Sequence, residues 1–87
     1  MKKEEIIKDL QTIPGIGKAI SRKLYNIGIH KISDLRNADP EEIYFKTCAY
    51  DGEQHCRCLL YVFRAAVYFA STKTPNPEKL LWNNWKD

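Results

Sequence analysis

The residues with the clearest chemical potential lie at positions 13–18, which read IPGIGK. Gly15 can adopt a backbone conformation that a side chain would disfavour, and Ile16 can point inward and lock the turn. Gly17 leaves the start of the following helix bare, so that unpaired N–H groups face outward and suit an anion such as phosphate. Lys18 and Arg22, four residues apart, add positive charge. We therefore predict a phosphate-binding turn formed by Gly15, Ile16, Gly17, Lys18 and Arg22.

A second group of reactive side chains consists of His55, Cys56 and Cys58. Structural zinc sites usually separate paired cysteines by about two to four residues and add a second ligand pair, and this spacing departs from that pattern. Cys58 also belongs to an apolar stretch, in which a thiol packs as a small hydrophobic side chain. We therefore expect no metal site here. Three cysteines without a disulfide framework fit a reducing cytoplasm.

The sequence favours a binding protein over an enzyme. It contains no serine–histidine–aspartate set, no Walker loop and no evident cluster of metal-binding carboxylates, so we expect no small-molecule substrate and no required cofactor. The net charge of +3 permits an anionic partner without demanding one. No apolar run approaches the roughly 20 residues that span a bilayer, and no secretory leader is evident. We expect a cytoplasmic protein without membrane contact.

The elements that position the turn are predicted to be helices. Apolar residues at helical spacing predict one helix over residues 3–11 and another over residues 17–26. The second helix is expected to bury Ile20, Leu24 and Ile27, with small Ser21 beside them.

A weaker copy of this hairpin follows in the sequence. Ser33 is expected to cap a short helix, and Asp39-Pro40 is a strong start for a longer one. The turn at residues 37–40 has no glycine, which indicates a structural hairpin and not a phosphate site. We predict an all-α fold with a single domain over residues 1–87. Its expected parts are two hairpin units (3–50), a central buried helix (54–71) and a tail (72–87) with a short capped helix.

The first hairpin resembles the helix-hairpin-helix motif of DNA repair, replication and recombination proteins. The matching residues are the IPGIG turn and the apolar positions Ile6, Ile7, Leu10 and Leu24, and alanine is usual where Ser21 stands. The resemblance implies non-sequence-specific DNA binding through backbone N–H groups, here those of Gly15, Gly17 and Lys18, and a link to DNA repair, recombination or uptake. In some members a monovalent cation lies on hairpin carbonyls, which correspond here to Ile13 and Ile16.

A longer resemblance covers nearly the whole chain. The features at residues 13–17, 26–29, 39–42, 58–64 and 82–87 are similar to those of the small bacterial pathogenicity-locus family, also described as mitomycin-resistance-related. Its members are mostly described only as helix-hairpin-helix proteins. This resemblance therefore supports the fold more than any activity.

Two further surfaces remain open to more than one interpretation. Arg57, Tyr61, Arg64 and Tyr68 form one stripe on the central helix, and with Lys23 and Lys31 they can extend a DNA surface. Alternatively, these residues form the solvent-exposed face of an otherwise buried helix, and the arginines pair with carboxylates.

The last open feature is the tryptophan pair of the tail. Trp82 and Trp85 either cover the core or anchor a protein partner or a second copy in a homodimer. The alternative function is therefore a protein-interaction or adaptor domain that uses the hairpin as architecture.

Overall fold

The computed structural model describes residues 2–86 and is built from helices. The four α-helices are Lys3–Leu10 (α1), Lys18–Asn26 (α2), Pro40–Asp51 (α3) and Arg57–Ser71 (α4). Three short 3₁₀ helices cover Ile32–Leu35, Pro77–Leu80 and Trp82–Trp85. Residues 2–86 contain no β-strand, so the predicted all-α class is confirmed. No helix among them is long and apolar enough to cross a membrane.

The first helical pair is formed by α1 and α2, which pack against each other. α1 buries its predicted apolar residues Ile6, Ile7 and Leu10. In α2 the buried residues are Ser21 and Leu24, both 0% exposed, whereas Ile20 and Ile27 are only partly buried. The predicted buried face is therefore confirmed at Leu24 and Ser21, and Ile20 and Ile27 pack against the core while remaining partly exposed. Because serine is small and its hydroxyl donates to the Lys18 carbonyl at 2.8 Å, α2 can approach its neighbours closely along the Ser21 side.

The second helical pair joins the Ile32–Leu35 helix to α3. The predicted cap at Ser33 is wrong, since the 3₁₀ helix already includes that residue. The Asp34 carboxylate instead accepts the N–H groups of His30 and Lys31 at 3.0 and 3.2 Å. The predicted start of α3 is confirmed.

α4 contacts more of the other elements than any other helix of residues 2–86 does. It contacts α3, the Ile32–Leu35 helix and both C-terminal 3₁₀ helices, and it places Leu60, Phe63 and Ala66 in the hydrophobic core. Its observed start at Arg57 lies three residues beyond the predicted start at residue 54. The residues before it are held against α3 instead.

Contacts around His55 explain this late start. The His55 N–H donates to the Cys48 sulfur at 3.4 Å, and the His55 carbonyl accepts the hydroxyl of Tyr44. The backbone N–H and carbonyl of His55 are therefore hydrogen-bonded to side chains of α3 and take no part in the backbone hydrogen bonds of α4.

The tail, of which residues 72–86 are described, folds back over α4. The Trp82 ring stacks on Tyr61, with centroids 6.5 Å apart and planes at 5°, and the Trp85 ring lies 5.5 Å from that of Tyr68. Arg64 donates to the Trp85 carbonyl at 2.7 Å. Both rings therefore contact tyrosines of α4 without joining the hydrophobic core, and Trp82 remains 40% exposed.

Candidate functional site

The turn between α1 and α2, residues 13–17, uses a backbone conformation that glycine favours. Gly15 has φ +84°, in the left-handed region that glycine favours, as predicted. The Ile16 N–H donates to the Ile13 carbonyl at 3.1 Å, and the Ile16 side chain is only 5% exposed. Ile16 was predicted as part of the phosphate site. Because its amide is already paired and its side chain is buried, it stabilises the turn and offers no contact group.

The start of α2 presents several free donors. Gly17 is the N-cap, in an extended conformation and without a side-chain cap. Within residues 2–86, the amides of Gly17, Lys18 and Ala19 donate no hydrogen bond, and all three residues are exposed. The Ala19 amide was not included in the predicted site. Its position two residues after Gly17, the N-cap, could have indicated it. These amides converge at the positive end of the α2 dipole.

The charges around these amides are positive. Lys18 and Arg22 are exposed, and in the part of the chain that the structure describes neither forms an ion pair. The first turn of α2 carries no acidic residue. An anion at the amides would thus meet attractive charge from the helix end and from two side chains.

The turn before α3, residues 35–39, repeats the same backbone geometry. Asn37 has φ +59° where the first turn has Gly15, and the Ala38 N–H donates to the Leu35 carbonyl at 3.1 Å. Asparagine tolerates the left-handed region better than most residues, so the missing glycine does not prevent the turn. The two helical pairs therefore share one turn geometry.

The second turn differs from the first in what covers its amides. The Asp39 carboxylate stands where the first turn has Gly17, and it accepts the Glu41 N–H at 2.9 Å. Pro40 has no N–H to offer. The Asn37 N–H donates to the Ser71 hydroxyl at 2.9 Å, which ties this turn to the end of α4. The helix start after the second turn is thus capped by a carboxylate, whereas the helix start after the first turn has no cap.

Lys23 was predicted to lie on an open basic surface. It belongs instead to a partly buried network with Asp51 and His55. Its ammonium donates to the Asp51 carboxylate at 2.8 Å, and the same carboxylate oxygen lies 2.6 Å from His55 Nε2. The pKa of Asp51 lies below its ordinary value of 3.8. The largest cause is the hydrogen bond from Lys23, and the next is the hydrogen bond with His55. Lys23 therefore links α2 to α3.

The Asp51 network predicts a specific acid sensitivity. Because the folded pKa of Asp51 is depressed, its contribution to stability is present above the ordinary value of 3.8 and is lost as the pH falls through the folded pKa. We expect Asp51→Asn to lower the melting temperature at about pH 7 and to show a much smaller difference from the parent at about pH 2. Thermal unfolding followed by circular dichroism measures both. Asp9→Asn, on an exposed carboxylate, is the matched control. An Asp51→Asn deficit that is the same at both pH values would contradict this role.

The predicted secondary basic and aromatic surface is largely occupied by the tail. Arg64 lies 3.5 Å from the Glu41 carboxylate and 5.5 Å from the Tyr61 ring, which itself stacks on Trp82. Arg57 is exposed at the start of α4. Lys31 lines a shallow cavity with Ile6, Asp9 and His30 and not with residues of the first turn. Tyr61 and Arg64 therefore contact the tail, and the Arg64–Glu41 pair matches the alternative interpretation of a helix face with arginines paired to carboxylates.

A cleft beside the first turn was not predicted. It has a volume of about 260 Å³ and connects the turn to α4 and the tail. Its lining includes Pro14, Gly15, Val62, Ala65, Leu81 and Trp82. The tail therefore supplies an apolar wall beside Pro14 and Gly15 of the turn.

The two hairpin carbonyls expected to bind a monovalent cation, those of Ile13 and Ile16, differ in how freely they can accept one. The Ile13 carbonyl already accepts the Ile16 N–H, which leaves it one lone pair. The Ile16 carbonyl accepts no backbone N–H within the described residues.

The cysteine and histidine group does not form a metal cluster. His55 is paired with Asp51 and lies 3.6 Å from Glu53, and the Cys56 and Cys58 sulfurs lie 3.2 Å from each other. Among the side chains of residues 2–86, no group of three or more potential ligands is placed to hold a metal. Cys58 was expected to pack as a small apolar side chain, and it is exposed. Its place in the first turn of α4 leaves it outside the buried face.

These features define a small all-α domain with two helical pairs that share one turn geometry. The model of the pathogenicity locus family (Cdd1) matches residues 3–87, and the chain belongs to this family. The chain is 37% identical, over 59 residues, to the mitomycin resistance protein McrB of Streptomyces lavendulae. The match covers 68% of this chain and 56% of that relative, so the chain spans little more than half of the relative's length. No solved structure matches the chain.

Proposed function

We propose that this domain is a non-catalytic, non-sequence-specific DNA-binding module that uses a helix-hairpin-helix motif. In this proposal α1, the first turn and α2 form the motif, and the second helical pair is a degenerate copy. The single observation that carries the proposal is the contrast between the two turns. The first leaves the amides of Gly17, Lys18 and Ala19 open and exposed, whereas Asp39 caps the equivalent helix start.

The charges support a phosphate as the ligand of the open amides. A backbone phosphate carries negative charge and acceptor oxygens, which suit a helix N-terminus flanked by Lys18 and Arg22. Amide contacts to phosphates carry no base information, so we expect no base readout. Binding is therefore weak and independent of sequence, with a dissociation constant of about 10⁻⁴–10⁻⁶ M. A monovalent cation on the Ile16 carbonyl would strengthen it without being required.

Titration of a labelled duplex at two salt concentrations tests the proposal. With about two phosphates neutralised, we expect the logarithm of the association constant to fall with log salt at a slope of about −2 between about 50 and 200 mM. Two duplexes of unrelated sequence should give the same curve. Binding that is absent at the lower salt, or restricted to one of the two sequences, would overturn the proposal.

A protein-interaction domain is the second candidate function, and exposed apolar side chains favour it. Leu81 and Trp82 are 57% and 40% exposed beside the cleft, and Phe45 is 66% exposed on α3. In that case the chain self-associates or captures a protein without binding DNA. Sedimentation of the parent and of Trp82→Ala, run beside the duplex titration, separates the two functions.

A further inference from the structure

The start of α4 holds two thiols that no step of DNA binding uses. The Cys56 and Cys58 sulfurs lie 3.2 Å apart, and both residues are exposed. Cys56 is the N-cap of this 15-residue helix, and its sulfur accepts the Cys58 N–H at 3.4 Å. A contact between two accessible thiols on one helical turn is therefore built into the fold.

The two sulfurs have different surroundings. The Cys58 N–H and then the Cys58 thiol hold the pKa of Cys56 below its ordinary value of 9.0. Donation to Cys56 raises the pKa of Cys58. A thiolate at a helix N-terminus is also favoured by the helix dipole. Cys56 is thus the nucleophile of the pair. The Cys58 sulfur is close enough to attack a disulfide formed on Cys56.

We propose that Cys56 and Cys58 form a redox-active dithiol that exchanges with small-molecule disulfides of the glutathione type. In the first step the Cys56 thiolate attacks one sulfur of the small disulfide. A mixed disulfide forms on Cys56, and one small thiolate leaves with the electron pair of the broken S–S bond.

The second step closes the ring. Cys58 loses its proton to solvent, and its thiolate attacks the Cys56 sulfur, so that the second small thiolate leaves. The balance is one protein dithiol oxidised to one disulfide and one small disulfide reduced to two thiols. The exchange uses Cys56 and Cys58 only and is independent of DNA binding at the first turn.

Mass spectrometry of the full chain after incubation with glutathione disulfide tests the proposal. Cys48→Ser is the background, because the half-buried Cys48 is the third thiol. We expect this chain to lose the mass of two hydrogen atoms and to yield a peptide with Cys56 linked to Cys58. Adding Cys58→Ser should stop the reaction at one stable glutathione adduct. Adding Cys56→Ser should slow adduct formation severalfold, since Cys58 has neither the N-cap position of Cys56 nor the amide that donates to the Cys56 sulfur.

Two results would overturn the assignment. One is a glutathione adduct that persists on the Cys48→Ser chain, since Cys58 would then fail to resolve it. The other is equal rates for the Cys56→Ser and Cys58→Ser chains, since the two thiols would then be equivalent surface groups. Circular dichroism of each variant verifies the fold, and exposed positions at a helix start tolerate serine well.

Discussion

Reversing both charges at the open turn, with Lys18→Glu and Arg22→Glu together, is expected to weaken duplex binding at least about tenfold. The two side chains flank the amides of α2, and an unfavourable charge at each would repel the phosphates that the helix end attracts. The magnitude of the salt slope should also fall by about two, because each phosphate contact contributes about one. Fluorescence anisotropy with a labelled duplex at two salt concentrations measures both effects.

A matched variant separates this local effect from a change in net charge. Lys46→Glu with Lys73→Glu produces the same charge change at exposed positions on α3 and after α4, outside the first turn. We expect this control to lose only a small part of the affinity. If the control loses as much as the Lys18/Arg22 variant, the protein binds through diffuse charge and the open turn is not its binding surface.

Gly17→Asp should abolish the anion site while leaving the domain folded. Gly17 occupies an extended N-cap position, and a Cβ added there meets no atom within 4 Å. An aspartate can therefore cap α2 as Asp39 caps α3, which is worth a few tenths of a kcal/mol over glycine. Its carboxylate would occupy the amides and repel phosphate. We expect an equal or higher melting temperature together with at least about tenfold weaker duplex binding.

Gly17→Asn is the control for this substitution. Asparagine caps a helix about as well as aspartate but carries no charge. It should therefore weaken binding less than Gly17→Asp, by partial occupation of the amides alone. Full duplex affinity in Gly17→Asp, with its fold intact, would show that the open amides take no part in binding.

The local parts of this fold are predictable from the sequence because local chemistry determines them. The apolar stripe of α1, the positive φ of Gly15 and the capped start of α3 at Asp39 all follow from neighbouring residues. The open turn is predictable for the same reason, since a glycine N-cap can supply no side-chain acceptor.

The parts that escaped prediction depend on contacts between distant segments. Lys23 reads as a surface cation until α3 brings Asp51 to it, 28 residues further along the chain. The cleft beside Gly15 exists only because the tail returns across α4 and places Trp82 there. The left-handed conformation of Asn37 escaped prediction for another reason. Asparagine can adopt that conformation but does not require it, so the residue type alone does not predict it.

The most direct test of the central claim is a two-dimensional ¹H–¹⁵N spectrum of the chain with and without a short duplex. If phosphates lie on the open turn, the amide signals of Gly17, Lys18 and Ala19 shift as duplex is added. The Glu41 amide, which Asp39 already holds, stays in place. Unmoved signals from the three amides, with shifts confined to the Trp82 indole and its neighbours, would contradict the account and assign binding to the tail.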